Sequence, residues 1–198
     1  IHLFINDALQ LNYTSLTPLV GTHVGLMARD GDFNIQNFSV YMGSHRVMVN
    51  CLAVPDAFFS NKYYEVALAE YRRISNAFPG RSEQREAIFR AGMTLLEMGK
   101  THKNAKQKKH FYDLAHQEFD NLHRSLAGIP FAYLGKALVY HKLEEYDDEL
   151  RCLELALRRY PRHPLLPIIK EQIVIRMHNA SRTNRFAAYD LISLVIRL

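Results

Sequence analysis

A set of five positions with the spacing 3, 4, 3, 4 occurs three times in this chain and constrains its fold more than any other feature. The sets are Tyr64, Ala67, Tyr71, Ile74, Phe78; Tyr112, Ala115, Phe119, Leu122, Leu126; and Tyr146, Glu149, Leu153, Ala156, Tyr160. This spacing follows the 3.6-residue period of the α-helix, so each set lies on one helix face. Each set therefore predicts a buried helical stripe, and the three together predict a helical repeat.

The residues between the stripes indicate the length of each repeat. Proline directly follows the first and third sets, at Pro79 and Pro161, and marks a turn because it cannot continue a helix. The second and third sets lie 34 residues apart, whereas the first and second lie 48 apart. Most of the excess falls in one basic segment, THKNAKQKKH, at positions 101–110. We expect this insertion to lengthen a turn between two helices without changing the faces that stack.

A period of 34 residues is that of the tetratricopeptide repeat, which the chain resembles from about Met48 to Tyr160. The helix before each stripe also fits, with Gly92 and Ala137 standing where that family has a small residue. The chain departs from the family pattern at Glu149, which replaces the usual alanine, and it contains no tryptophan. The resemblance implies a mainly α fold in which helix pairs stack into an α-α superhelix.

The first 43 residues follow a different pattern, with apolar and polar residues alternating between turn residues. The predicted strands are HLFIN, LQLNYT, THVGLMAR and FNIQNFSVY. Their order is similar to the last strands of a concanavalin-type, laminin-G-like jelly roll. Because four strands are too few for a stable sandwich, we expect a fragment of a larger protein. Residues 1–43 would be the C-terminal strands of a truncated β-sandwich, and residues 44–198 three clear helical pairs and a degenerate fourth.

The composition is that of a folded soluble protein, with 48% hydrophobic and 23% charged residues. No stretch of about 18 apolar residues is present, so the sequence predicts no transmembrane segment here. Cys51 and Cys152 lie among apolar neighbours and are predicted to be buried free thiols, as in a reducing compartment. We expect the protein to be cytoplasmic, or membrane-associated through other parts of a longer parent.

Much of the net charge of +5 lies in the basic segment, where five lysines and two histidines occur between residues 100 and 110. Such a segment can engage phosphate groups or an acidic partner. It has no arginine, however, and no aromatic side chain is interleaved with the lysines to stack on bases. We therefore interpret it as a solvated turn and do not expect a nucleic-acid partner.

Catalytic motifs are absent from the sequence: it has no glycine-rich phosphate loop, no G-x-S-x-G, no H-E-x-x-H and no C-x-x-C. Asp113, His116, Asp120 and His123 do share a helix face at spacings that suit a metal ion. Exposed polar residues beside a core stripe often have this arrangement. We predict no catalytic residue, no metal ligand and no cofactor in this segment.

Tetratricopeptide repeats bind partners mainly on a concave face formed by the first helix of each pair. The resemblance assigns to this face Leu52, Asp56, Phe59, Glu86, Phe89, Met93, Leu96, Phe131, Leu134, Leu138 and Lys142. The set is mostly apolar and lacks the Lys, Asn and Arg combination with which some family members hold a terminal carboxylate. It therefore implies a protein or peptide partner with an apolar segment.

Two strings, LAVPDAFFSNKYYEVALAEYRRI and HPLLPIIKEQIVIR, resemble the carboxy-terminal region of a chlamydial-type bacterial serine/threonine protein kinase of the PknD type. The resemblance implies a parent that uses ATP and Mg²⁺ in a separate kinase domain, because this segment has no G-x-G-x-x-G, H-R-D or D-F-G. The implied function is a non-catalytic scaffold that regulates the kinase or recruits its substrates. The alternative is ligand or glycan recognition by a complete jelly roll, with the repeats as a spacer.

Overall fold

A computed structural model describes residues 2–5, 8–12 and 50–183 of the chain, and within these residues the protein is mainly α-helical. The helices are α1 Ala53–Ser60, α2 Tyr64–Ala77, α3 Ser82–Thr101, α4 Ala105–Asn121, α5 Ile129–Leu143, α6 Tyr146–Arg159 and α7 Leu166–Thr183. Successive helices pack against one another along the chain, and α3 also contacts α5. The predicted mainly α fold is confirmed. No helix in the described part of the chain is long and apolar enough to cross a membrane.

A two-stranded antiparallel sheet forms at the start of the chain, with β1 at His2–Ile5 and β2 at Ala8–Asn12. The register shifts by one residue between Leu3 and Phe4, which leaves Gln10 as the extra residue of a bulge. The first two predicted strands are thus confirmed. The other two, at 22–29 and 33–41, lie outside the described residues, and the jelly roll stays a prediction.

Two glycines of α3 receive two aromatic rings of α4. A methyl group built on Gly92 would lie only 2.5 Å from Cζ of Phe119, and one built on Gly99 would lie 2.5 Å from Cε1 of Tyr112. The glycines are seven residues apart, and so are the rings, but in the opposite order along the chain. The two helices therefore run antiparallel with their axes close together.

The Phe119 ring also meets α5, where a methyl group on Gly135 would lie 2.6 Å from Cε1 of the ring. The same pairing continues along α4 and α5, since His123 faces Tyr133 with ring centroids 5.5 Å apart. Further along, His116 faces Tyr140 at 6.0 Å. Helices α4 and α5 are therefore antiparallel as well, and one ring joins three helices.

The central members of all three stripes are buried, as predicted. Ala67, Tyr71, Ala115, Phe119, Leu122, Leu153 and Ala156 are each at most 1% exposed. They belong to two clusters, one around α1 and α2 and a larger one that extends from α3 to α7. The alanines let neighbouring helices approach, and the aromatic and leucine side chains fill the space between them.

Two stripe members are exposed, contrary to the prediction. Leu126 is 80% exposed because α4 ends at Asn121 and continues as two short 3₁₀ turns, Leu122–Arg124 and Leu126–Gly128, which break the 3.6-residue period. Tyr146, the first residue of α6, is 57% exposed, and its ring meets that of His141 with centroids 6.2 Å apart.

The basic segment at 101–110 does not form a long turn, so that prediction is wrong. Helix α3 continues to Thr101 and α4 begins at Ala105, which leaves only three residues between them. The His102 imidazole stacks on the Phe111 ring with centroids 4.8 Å apart. Residues 105–110 of the segment form the first turns of α4, because Lys, Gln and Ala are good helix formers.

Helix α7 belongs to the predicted degenerate fourth pair and extends from Leu166 to Thr183, the last of the described residues. Ile169 and Ile173 are buried in the larger cluster, so α7 closes the described end of the core. The remainder of the predicted fourth pair lies outside the described residues.

We predict that Gly135→Ala destabilises the protein. In an exposed helix interior this change stabilises by about 0.5–1 kcal/mol, but here the methyl group overlaps the Phe119 ring and the expected cost is about 1–3 kcal/mol. Urea denaturation measures the free energy of unfolding. Adding Phe119→Leu should recover part of the loss in a double-mutant cycle. A stabilising Gly135→Ala would contradict the described packing.

We also predict that Asn104→Ala costs about 1 kcal/mol, the usual value for loss of an N-cap. The Asn104 side chain accepts a hydrogen bond from the Lys106 backbone N–H at 2.9 Å, and the first turn of α4 has no acidic residue to offset its lysines. Thermal denaturation should show Asn104→Asp to be near wild type, and Gln117→Ala, at an exposed position in the interior of α4, to be neutral. If the Asn104→Ala variant were as stable as the wild-type protein, the residues after Asn104 would form a loop and not the capped first turn of α4.

Candidate functional site

The residues predicted to line a concave face differ in exposure. The buried members are Leu52, Phe59, Phe89, Met93, Leu96, Leu134 and Leu138. The remaining members are Asp56, Glu86 and Phe131, which are half-buried, and Lys142, which is exposed. The partner-binding role of the set stays a prediction. Its seven buried members lie beneath the surface.

The structure brings the predicted residues together in two groups. Leu52 and Phe59 lie in the cluster around α1 and α2, whereas the apolar members from α3 and α5 share the larger cluster. Within the larger cluster, the Phe89 ring centroid lies 5.5 Å from that of Phe119 and 5.8 Å from that of Phe131. Phe131 also meets the edge of His163 at 5.9 Å. Phe131 is therefore one of the partly buried aromatic residues, with Phe111 and Tyr133, at which this cluster reaches the surface.

Asp56 binds two side chains from other helices. Its Oδ1 accepts a hydrogen bond from the Tyr71 hydroxyl at 2.5 Å and one from Nη1 of Arg90 at 2.8 Å. Burial and the bond to Asp56 raise the pKa of Tyr71 far above its usual value, so the hydroxyl stays protonated and keeps donating. These bonds fasten α1 to α2 and α3, and Asp56 has a structural role in addition to the predicted one.

The predicted group of histidines and aspartates lies on α4, except for His123 in the 3₁₀ turn that follows, and Lys136 of α5 forms an ion pair with it. Asp120 forms an ion pair with Nζ of Lys136, and its Oδ2 lies 3.2 Å from Nδ1 of His116. Burial raises the pKa of Asp120, but the bond to Lys136 and the nearby positive charge outweigh it, so the pKa lies below its usual value. Within the described residues, no group of three His, Cys, Asp or Glu side chains is placed to hold a metal ion.

Glu149, which occupies the usual alanine position of the third stripe, is only 4% exposed. Glu149 lies in the first turn of α6, and its Oε2 lies 3.0 Å from Nδ1 of His141 on α5. A carboxylate in the first turn of a helix is favoured by the helix dipole, and the imidazole supplies a hydrogen-bonding partner. The departure from the repeat pattern is thus accommodated by local polar contacts.

The two cysteines are free thiols, as predicted, although both are half-buried and not fully buried. Burial raises the pKa of the Cys152 thiol to about 11. The thiolate is the reactive form, so Cys152 is a poor nucleophile near neutral pH.

A polar cleft that the sequence did not predict lies between the second halves of α2 and α4 and the first half of α3. Its volume is about 570 Å³, within the range of roughly 300–1,000 Å³ that is usual for ligand sites. Guanidinium, amide and hydroxyl groups line it, together with one carboxylate, that of Glu118. Helical periodicity gives no signal for such a site because its residues come from three helices and from the turns that follow α2 and α4.

The comparisons with known proteins give one consistent result. The chain is 49% identical over 197 residues to the serine/threonine-protein kinase PknD of Protochlamydia amoebophila. It is 39% identical over 198 residues to PknD of Chlamydia pneumoniae and 35% identical over 196 residues to PknD of Chlamydia trachomatis. Each match includes at least 99% of this chain but 20% of the relative. No protein-family model and no solved structure matches the chain.

The chain therefore spans about a fifth of the length of the curated relatives it matches. The motifs that bind ATP and transfer phosphate are absent from it. Its homologues are PknD serine/threonine-protein kinases, and the described residues of this chain are mainly helical.

Proposed function

We propose that this chain is a non-catalytic interaction region of a larger serine/threonine protein kinase, where it regulates the kinase or recruits substrates. The observation that carries the proposal is similarity over the whole chain to about a fifth of PknD kinases, combined with the absence of every kinase motif. A region that kinases share but that contains no kinase motif is best explained by a role in binding other proteins. ATP and Mg²⁺ would then belong to another part of the parent.

The helix arrangement supports a tetratricopeptide-like superhelix as part of this proposal. Helices α3, α4 and α5 are successively antiparallel, and α3 touches α5 as first helices of neighbouring repeats do. Asp56 and Arg90, on the first helices of two successive pairs, are 34 residues apart and form an ion pair. This offset equals the tetratricopeptide period.

The proposed partner face is the outer surface of α3 and α5. Phe131 and Glu86 are half-buried, and Lys142 is exposed. Aromatic side chains in the centre of an interface and charged side chains at its rim are typical of protein interfaces. Serine at the buried Phe89 or Leu134 would disrupt the core, so variants at the three accessible positions are the ones that test binding.

The purified 198-residue chain is expected to transfer no phosphate. Incubation with labelled ATP, Mg²⁺ and a general protein substrate such as casein should give no incorporation, because no residue of a kinase site is present. The PknD of Protochlamydia amoebophila serves as the positive control. Incorporation by the isolated chain would show that the non-catalytic assignment is wrong.

The isolated chain should also compete with this full-length relative for protein substrates. We expect added chain to lower phosphorylation of whole substrate proteins but not of a short peptide, which needs no docking. Phe131→Ser and, separately, Lys142→Glu should weaken the competition without lowering the unfolding temperature by more than about 2–4 °C, the shift that 1 kcal/mol produces in a chain of this length. Tyr63→Ser, at an exposed aromatic residue on another helix pair, is the matched control. Equal competition by all variants would contradict the proposed face.

A further inference from the structure

The polar cleft carries an excess of positive charge. Three arginines line it, Arg72, Arg85 and Arg124, against the single carboxylate of Glu118. Arg72 and Glu118 neutralise each other, because Nε of Arg72 donates to Oε1 of Glu118 at 2.7 Å and Nη2 lies 2.5 Å from the same oxygen. This pair connects α2 to α4 across the cleft. Two guanidinium groups remain without a carboxylate in the cleft.

Neither of these two guanidinium groups has its donors fully used. Arg85 donates through Nη1 to the Gly80 carbonyl at 3.3 Å, and a guanidinium has five N–H donors. The nearby Glu83 does not line the cleft and accepts a hydrogen bond from Oγ of Ser82 at 3.0 Å. Within residues 50–183, Arg124 makes no hydrogen bond or ion pair. Both side chains can therefore bind an anion without breaking an existing ion pair.

The wall that carries Arg85 is preformed. The Gly80 backbone N–H donates to Oε1 of Gln84 at 2.8 Å, and Nε2 of Gln84 donates to the Ser75 carbonyl at 3.2 Å. Gln84 thus fixes the turn between α2 and α3. On the opposite wall, the Ser125 hydroxyl accepts a hydrogen bond from the Gly128 N–H at 3.1 Å and fixes the turn beside Arg124. A site held on both sides loses little entropy when it binds a ligand.

We propose that this cleft binds a short acidic segment of a partner protein, whose oxyanion, a phosphate or a carboxylate, is held by Arg85 and Arg124. Arginine forks bind both anions with paired hydrogen bonds, and the amides of Asn76 and Asn121 can meet the peptide backbone. No aromatic side chain lines the cleft, so stacking on nucleic-acid bases has no support. The site goes beyond the proposed function, because Glu86, Phe131 and Lys142 of the proposed partner face do not line it.

The test uses the 198-residue chain and three immobilised degenerate peptide libraries that differ only at a central phosphoserine, glutamate or serine. The chain should be retained by the phosphoserine or glutamate library and not by the serine library. Arg85→Gln and Arg124→Gln should each lower retention about tenfold, because each removes a charge-assisted hydrogen bond. Glu118→Gln should raise retention, since it removes the only carboxylate of the cleft. Circular dichroism checks that each variant is folded.

Arg159→Gln is the matched control, because this exposed arginine of α6 does not line the cleft. Retention on the phosphoserine library alone would identify phosphate as the source of the oxyanion, and retention on both would identify general acidic recognition. The proposal is overturned if no library retains the chain, or if Arg85→Gln and Arg124→Gln bind as Arg159→Gln does. Stronger arginine-dependent binding to single-stranded DNA than to either peptide library would also overturn it. If Arg85→Gln and Arg124→Gln compete normally in the substrate assay, peptide binding in the cleft is distinct from substrate recruitment by the surface that carries Phe131.

Discussion

The Phe119 ring is the contact on which the helical stack depends. It occupies space that exists only because Gly92 on α3 and Gly135 on α5 have no side chain, and it is fully buried. A helix glycine normally costs stability relative to alanine, so two glycines facing one ring are favourable only if close packing compensates. The ring fixes the distance and the direction of three helices at once, and the Gly99 and Tyr112 contact two turns away repeats the device.

The stripe spacing predicted the helices and their buried faces correctly because a 3.6-residue period has one interpretation over 15 residues. The spacing gave wrong burial at two helix ends. Leu126 fits the spacing but lies in a 3₁₀ turn after the end of α4. Tyr146 fits it but is the first residue of α6 and is exposed. The turn predicted at 101–110 is wrong because a charged composition does not exclude a helix. Lys and Gln are good helix formers, and residues 105–110 belong to α4.

Prediction of the candidate site was limited by a physical conflict between burial and binding. Apolar residues at the first-helix positions, such as Phe89 and Leu134, are suitable anchors only if they reach the surface. Close helix contact through Gly92 and Gly135 draws these side chains into the core, so the polar and half-buried neighbours are left to meet a partner. A sequence pattern assigns a residue to a helix face, whereas exposure depends on how closely the next helix approaches.

The same helix end that exposes Leu126 also forms the polar cleft. Helix α4 gives way to 3₁₀ turns after Asn121, and Arg124 and Ser125 of this break line the cleft together with residues of α2 and α3. A regular α4 would have continued its apolar stripe to Leu126 instead. The interruption of the repeat therefore exchanges hydrophobic contact for a charged, preformed concavity, and such an exchange is expected where binding offsets the lost packing.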